Sequence, residues 1–148
     1  MDLTGSQTLN APIEKVWDLI LNPEFLAKVT PGITRLEKET DELYKAIAEI
    51  AIGPVKGKFS GQAELKDKVP HESFTMKVLQ KSMVGNVDAN IVMKMKAIGE
   101  NQTELSFEGK ANMSGLLART GDRVMSGVAN TLTKQFFSNF EKELSDLT

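Results

Sequence analysis

Between Ile33 and Met113 polar and apolar residues alternate with a period of two, and the alternation restarts after each short polar break. No other feature constrains the fold as strongly, because a period of two gathers the apolar side chains of each strand on one face, which must then be covered. In segment 43–52, Tyr44, Ala46, Ala48, Ile50 and Ile52 share a face opposite Lys45 and Glu49. In 55–66, Val55, Gly57, Phe59, Gly61, Ala63 and Leu65 oppose a polar row of Lys, Ser, Gln and Glu. Segment 72–81 places Phe74, Met76, Val78 and Gln80 together. In 85–97, Val87, Ala89, Ile91, Met93, Met95 and Ala97 align, and in 102–113, Thr103, Leu105, Phe107, Gly109, Ala111 and Met113 do so. Segments 3–9 and 33–40 alternate more weakly. The links between the main segments are short enough for hairpins, so the strands form an antiparallel meander wet on one side. At roughly 3.3 Å per residue such strands run about 30–43 Å, as long as a domain of this size is wide, and the sheet must curl.

Helical periodicity flanks this region on both sides. Asn10-Ala11-Pro12 reads as a helix start with Asn10 as a cap, followed by Ile13, Val16, Trp17 and Ile20; Asn22-Pro23 starts a second short helix that Pro31-Gly32 ends. From Gly115 to about Asp146 an apolar stripe through Leu117, Val124, Val128, Leu132, Phe136, Phe140 and Leu144 predicts one long helix of roughly 45 Å. Gly115, Gly121 and Gly127 make its first half the softer one. The expected fold is α+β: a helix-grip domain over 1–148 in which a curved antiparallel sheet wraps a long C-terminal helix, with two short helices after the first strand.

Composition narrows the function. The 148 residues include 18 Lys+Arg and 20 Asp+Glu, a net charge of −2 that disfavours phosphate-neutralising binding to nucleic acid. There is no cysteine and one histidine, which removes thiol chemistry and most metal sites. His71 follows Pro70 in a turn, and nearly every carboxylate falls on an outward face, so no catalytic residue, metal ligand or cofactor is assigned. Segment 1–10 lacks a basic and apolar leader, and no apolar run reaches the roughly 18 residues of a membrane helix, which points to the cytoplasm, with peripheral contact at the inner face of the cell membrane.

The order of elements is similar to that of the START-like, or SRPBCC, superfamily. Ala11-Pro12, Lys15-Val16-Trp17, Asn22-Pro23-Glu24, Pro31-Gly32, Gln135-Phe136-Phe137 and above all Ile52-Gly53-Pro54-Val55-Lys56-Gly57-Lys58-Phe59 resemble its CoxG branch, named for carbon monoxide dehydrogenase. The resemblance covers nearly the whole chain. It implies a non-enzymatic protein with an apolar cavity between sheet and helix, which binds or carries a lipophilic small molecule such as a quinone and supports or recruits a molybdenum-type CO dehydrogenase at the membrane surface. Two alternatives are a polyketide-cyclase-like enzyme on the same fold and an assembly factor with a closed cavity.

The inward positions give that cavity a physical basis. Ala46, Ala48, Gly57, Gly61, Ala63, Ala89, Gly109 and Ala111 are small for a face that must fill the space beneath a helix, although glycines also mark bends in long strands. Phe59, Phe74, Met76, Ile91, Met93, Leu105 and Phe107 would line the sheet side of a pocket, and Leu117, Val124 and Val128 the helix side. Tyr44 and Gln80 supply the inward polar tips, able to orient a ligand acceptor or to serve a structural hydrogen bond. At the β-hairpin tip, Met83 and Val84, with Leu116 at the helix start, would form an apolar rim at the pocket mouth for membrane or partner contact. Arg119, Asp122 and Arg123 stand at helical spacing and read as surface ion pairs.

Overall fold

The structure, a computed structural model, describes residues 1–147. Seven strands form one antiparallel sheet: β1 (Asp2–Leu9), β2 (Ile33–Lys38), β3 (Leu43–Ile52), β4 (Val55–Val69), β5 (Ser73–Ser82), β6 (Gly85–Gly99) and β7 (Gln102–Met113). Their order across the sheet is β1-β7-β6-β5-β4-β3-β2, a meander with the first strand closing beside the last. Every main strand predicted from the alternation is present, and β4 and β6 each reach 15 residues. Their register places like faces together, with Tyr44 opposite Ala63, Ala63 opposite Val78, Val78 opposite Ala89 and Ala89 opposite Ala111.

Two short helices follow β1: α1 (Ile13–Ile20) and α2 (Pro23–Val29). Asn22 caps α2 as expected, its side-chain oxygen accepting from the Phe25 amide at 3.1 Å. Asn10 does not cap α1. The extended Pro12 stands at that helix's N-cap, and the Asn10 side-chain oxygen accepts instead from the Gln102 amide across to β7.

The single helix expected over 115–146 is two. A short α3 (Gly115–Thr120) and a 25-residue α4 (Asp122–Asp146) meet at Gly121, which adopts φ +98°, a conformation in which an L-residue would be strained. The break has a visible cause in what holds α3. The Leu117 amide donates to the Val84 carbonyl at 3.0 Å, and Ser114 exchanges two hydrogen bonds of 3.0 Å with the backbone of Asn86. The tip of the β5–β6 hairpin thus clamps α3 in an orientation that α4 does not continue. Arg119, Asp122 and Arg123 therefore straddle a break, and no ion pair joins them among the described residues.

At about 1.5 Å per residue α4 spans about 37 Å, enough to cross the sheet. It approaches β1 on one side and α2 at its far end, where the Asn139 side-chain amide donates to the otherwise open Val29 carbonyl at 3.1 Å. Gln7 on β1 donates to the Glu141 carboxylate. With α2 packed on β2 at the opposite sheet edge, both edges are drawn toward the helices and the sheet closes around α4.

Candidate functional site

The apolar interior is divided into two clusters, one at each end of the sheet. The larger gathers Trp17, Phe25, Tyr44, Phe74, Met93, Leu105, Phe137, Phe140 and their neighbours beneath α1, α2 and the C-terminal half of α4. The smaller gathers Val55, Phe59, Leu117, Met125 and Val128 beneath α3 and the start of α4. Between them runs a seam of inward residues belonging to neither cluster: the row Ala63, Val78, Ala89 and Ala111, and beside it Ala46, Gly61 and Gln80. Ala89 and Ala111 are buried, while Ala46, Ala63, Val78 and Gln80 are only half-buried. This seam is the part of the concave face covered least well, and it lies midway along the grip.

The structure distributes the residues predicted to line a pocket around this seam. Tyr44, Phe74, Met93 and Leu105 stand buried on one side, with Met76, Ile91 and Phe107 half-buried against them. Phe59, Leu117 and Val128 stand buried on the other. Val124 is placed differently: it is 46% exposed, on the outer flank of α4 just past the break. The break at Gly121 turns α4 relative to α3, so the stripe drawn through one continuous helix does not carry Val124 to the inside.

Part of the small-residue pattern has another origin. A Cβ on Gly61 would fall onto the Leu79 carbonyl oxygen and 2.8 Å from its carbon, and one on Gly109 would fall onto the Asn90 carbonyl oxygen and 2.8 Å from the Ile91 Cα. These two glycines admit a neighbouring backbone where the sheet bends, so they produce the curvature of the concave face and do not themselves signal missing volume.

The polar groups inside have distinct fates. The Tyr44 hydroxyl donates to the Leu21 carbonyl at 2.5 Å, tying β3 to the end of α1, and burial pushes its phenol pKa up, so it is a neutral donor in structural use. The Thr103 hydroxyl, fully buried, donates to the Ala11 carbonyl at 2.8 Å. Gln80 differs from both, because its buried Oε1 has no hydrogen-bond partner. Alternation placed Gln80 inside, but its missing partner depends on strands folded around it. His71, exposed and at φ +63°, stands edge-on to Trp17 with ring centroids 6.2 Å apart. Among the described residues no three His, Asp or Glu side chains converge to hold a metal.

Two open clefts lie elsewhere. One of about 630 Å³ separates α2 from β2, between Pro23, Ala27, Leu36 and the Glu37–Glu39 edge; the other, about 480 Å³, lies across β2, β3 and β4 between Arg35, Ile47 and Gln62. Neither opens onto the seam, and the alternation of the strands gave no sign of either.

The rim residues come together. Met83 is fully exposed at the tip of the β5–β6 hairpin, Val84 beside it is half-buried, and the Val84 carbonyl holds the Leu117 amide, which brings 46%-exposed Leu116 next to the tip. Val124 adds a third exposed apolar side chain at the same end, above the smaller cluster. No helix among the described residues is long and apolar enough to cross a membrane.

Residues 5–145 match the family model for CoxG, a carbon monoxide dehydrogenase component. A conserved protein from Geobacillus kaustophilus is similar over 99% of this chain and 96% of its own, with 31% identity and a TM-score of 0.93. A START superfamily protein from Mycobacterium smegmatis shares the fold at 10% identity and a TM-score of 0.80, covering 99% of both chains. The Zhui aromatase/cyclase from Streptomyces sp. R1128 shares it at 11% identity and a TM-score of 0.70, over 97% of this chain and 92% of its own. No curated protein matches the chain at a significant level.

Proposed function

The chain belongs to the carbon monoxide dehydrogenase CoxG family, and on that premise we propose that it is a non-enzymatic protein that binds a lipophilic small molecule in the grip of its sheet. The observation that carries this reading is the seam: half-buried Ala46, Ala63 and Val78 lie between two separately packed apolar clusters, beneath a helix that makes its main approaches at the sheet edge and at α2. An apolar tail entering there would join the clusters and bury surface that the protein alone leaves half-covered. The ligand is a quinone or a molecule of similar shape, carried for a molybdenum-type CO dehydrogenase at the inner face of the cell membrane. An enzyme on this scaffold would need an inward ionisable group, and Tyr44 is committed to the Leu21 carbonyl.

A series of quinones of increasing tail length should raise the melting temperature progressively. At a hundredfold excess over Kd the gain is about 2.7 kcal/mol, or roughly 5–10 °C for a chain of this size. A flat melting temperature across the series, with no lipid retained in native mass spectrometry of the purified protein, would rule out the carrier role.

The apolar rim is the docking edge of this reading. Because Met83 and Leu116 are exposed, exchanging both for aspartate should leave stability within about 1 kcal/mol. It should also weaken binding to anionic vesicles or to the dehydrogenase by about ten-fold or more, since each loses an apolar contact and gains a charge to desolvate. Unchanged binding in a sedimentation assay would exclude this edge as the contact.

A further inference from the structure

Gln80 lies on β5 between Gly61 of β4 and Val87 of β6, facing the seam, and its Oε1 is the one buried side-chain nitrogen or oxygen without a hydrogen-bond partner among the described residues. Buried polar atoms in folded proteins are nearly always satisfied, and an enclosed acceptor left open disfavours the structure that contains it. Its neighbours cannot help. Ala46, Gly61, Ala63, Val78 and Val87 carry no side-chain donor, the Tyr44 hydroxyl is engaged at Leu21, and the backbone amides of the strands on either side are paired in the sheet.

We propose that Gln80 is the residue that selects the polar end of the ligand, accepting a hydrogen bond from a hydroxyl or N–H at the head of an otherwise apolar molecule. This rests on the binding reading above and deepens it. An apolar seam alone would take any hydrocarbon of suitable length, whereas one unsatisfied acceptor rewards a donor and leaves an acceptor-only head unrewarded. Within a quinone couple the favoured form is therefore the reduced quinol, whose hydroxyls donate, over the quinone, whose carbonyls only accept.

Three probes with one tail separate the possibilities: 4-dodecylphenol, its methyl ether and dodecylbenzene, titrated into the intact protein by calorimetry. The phenol should bind about ten-fold more tightly than either analogue, the equivalent of one hydrogen bond. Gln80→Met, of similar length and without the acceptor, should abolish that preference by weakening the phenol alone. It should melt no lower than the wild type, because it removes an unpartnered polar atom. Equal affinity for the three probes in the wild type, or a preference that survives in Gln80→Met, overturns the role of Gln80 and leaves the binding reading standing. A methyl ether bound as tightly as the phenol overturns the donor assignment, and this comparison needs no variant. Failure of all three probes to bind overturns both.

Discussion

Truncating Phe140 to alanine should cost about 3–5 kcal/mol in urea denaturation and lower the melting temperature by about 10 °C. The side chain is fully buried, and its ring meets Phe25 of α2 edge-on at 4.8 Å and Phe136 of α4 at 5.9 Å. Those contacts hold the end of α4 against α2, at the place where Asn139 donates to the Val29 carbonyl. The loss combines transfer of a large apolar side chain, a cavity that the surrounding strands cannot fill, and the edge-to-face contacts, each worth about 0.5–1.5 kcal/mol beyond burial. Val124→Ala, on the exposed flank of the same helix, should cost under about 1 kcal/mol. A loss below about 1 kcal/mol for Phe140→Ala would mean that α4 is not anchored at this end, and that the seam is not held open between two fixed clusters.

The strands could be read from the chain because each carries its own evidence: a face such as Val87, Ala89, Ile91, Met93 and Met95 is apolar whatever it packs against, and only a period of two explains it. The long helix was legible in its stripe but not in its break. Glycine at 121 is compatible with a continuous helix at a modest local cost, and what selects φ +98° is the clamp of Ser114 and Leu117 on the hairpin tip, made by residues about 30 positions earlier. The same distance hid the partner of Tyr44, 23 residues away at Leu21, and that of Asn10, at Gln102. For the site, alternation alone put Gln80 inside and Met83 at a turn. The orphaned oxygen of the one, and the meeting of the other with Leu116, required the fold. Small inward residues were the most ambiguous signal, since a methyl-sized gap and a bend in a strand leave the same letters in the sequence.

Two glycine-to-alanine exchanges resolve that ambiguity with opposite signs. Gly61→Ala should destabilise by about 3 kcal/mol or more, because the new methyl group meets only backbone: the Leu79 carbonyl oxygen and carbon, and the Gln80 Cα at 2.9 Å. No rotamer change relieves such a clash. β4 and β5 must separate or flatten, which removes the bend that gives the sheet its concave face and shifts Gln80 directly. Gly127→Ala lies within α4, where an added Cβ finds nothing within 4 Å, and should stabilise by about 0.5–1 kcal/mol through the lower conformational freedom of the unfolded chain. If Gly61→Ala were as mild as Gly127→Ala, the sheet would have to accommodate a side chain at its sharpest internal approach. The curvature that brings both edges to the helices would then need another cause, and Gly61 would return to being a simple absence of volume beside Gln80.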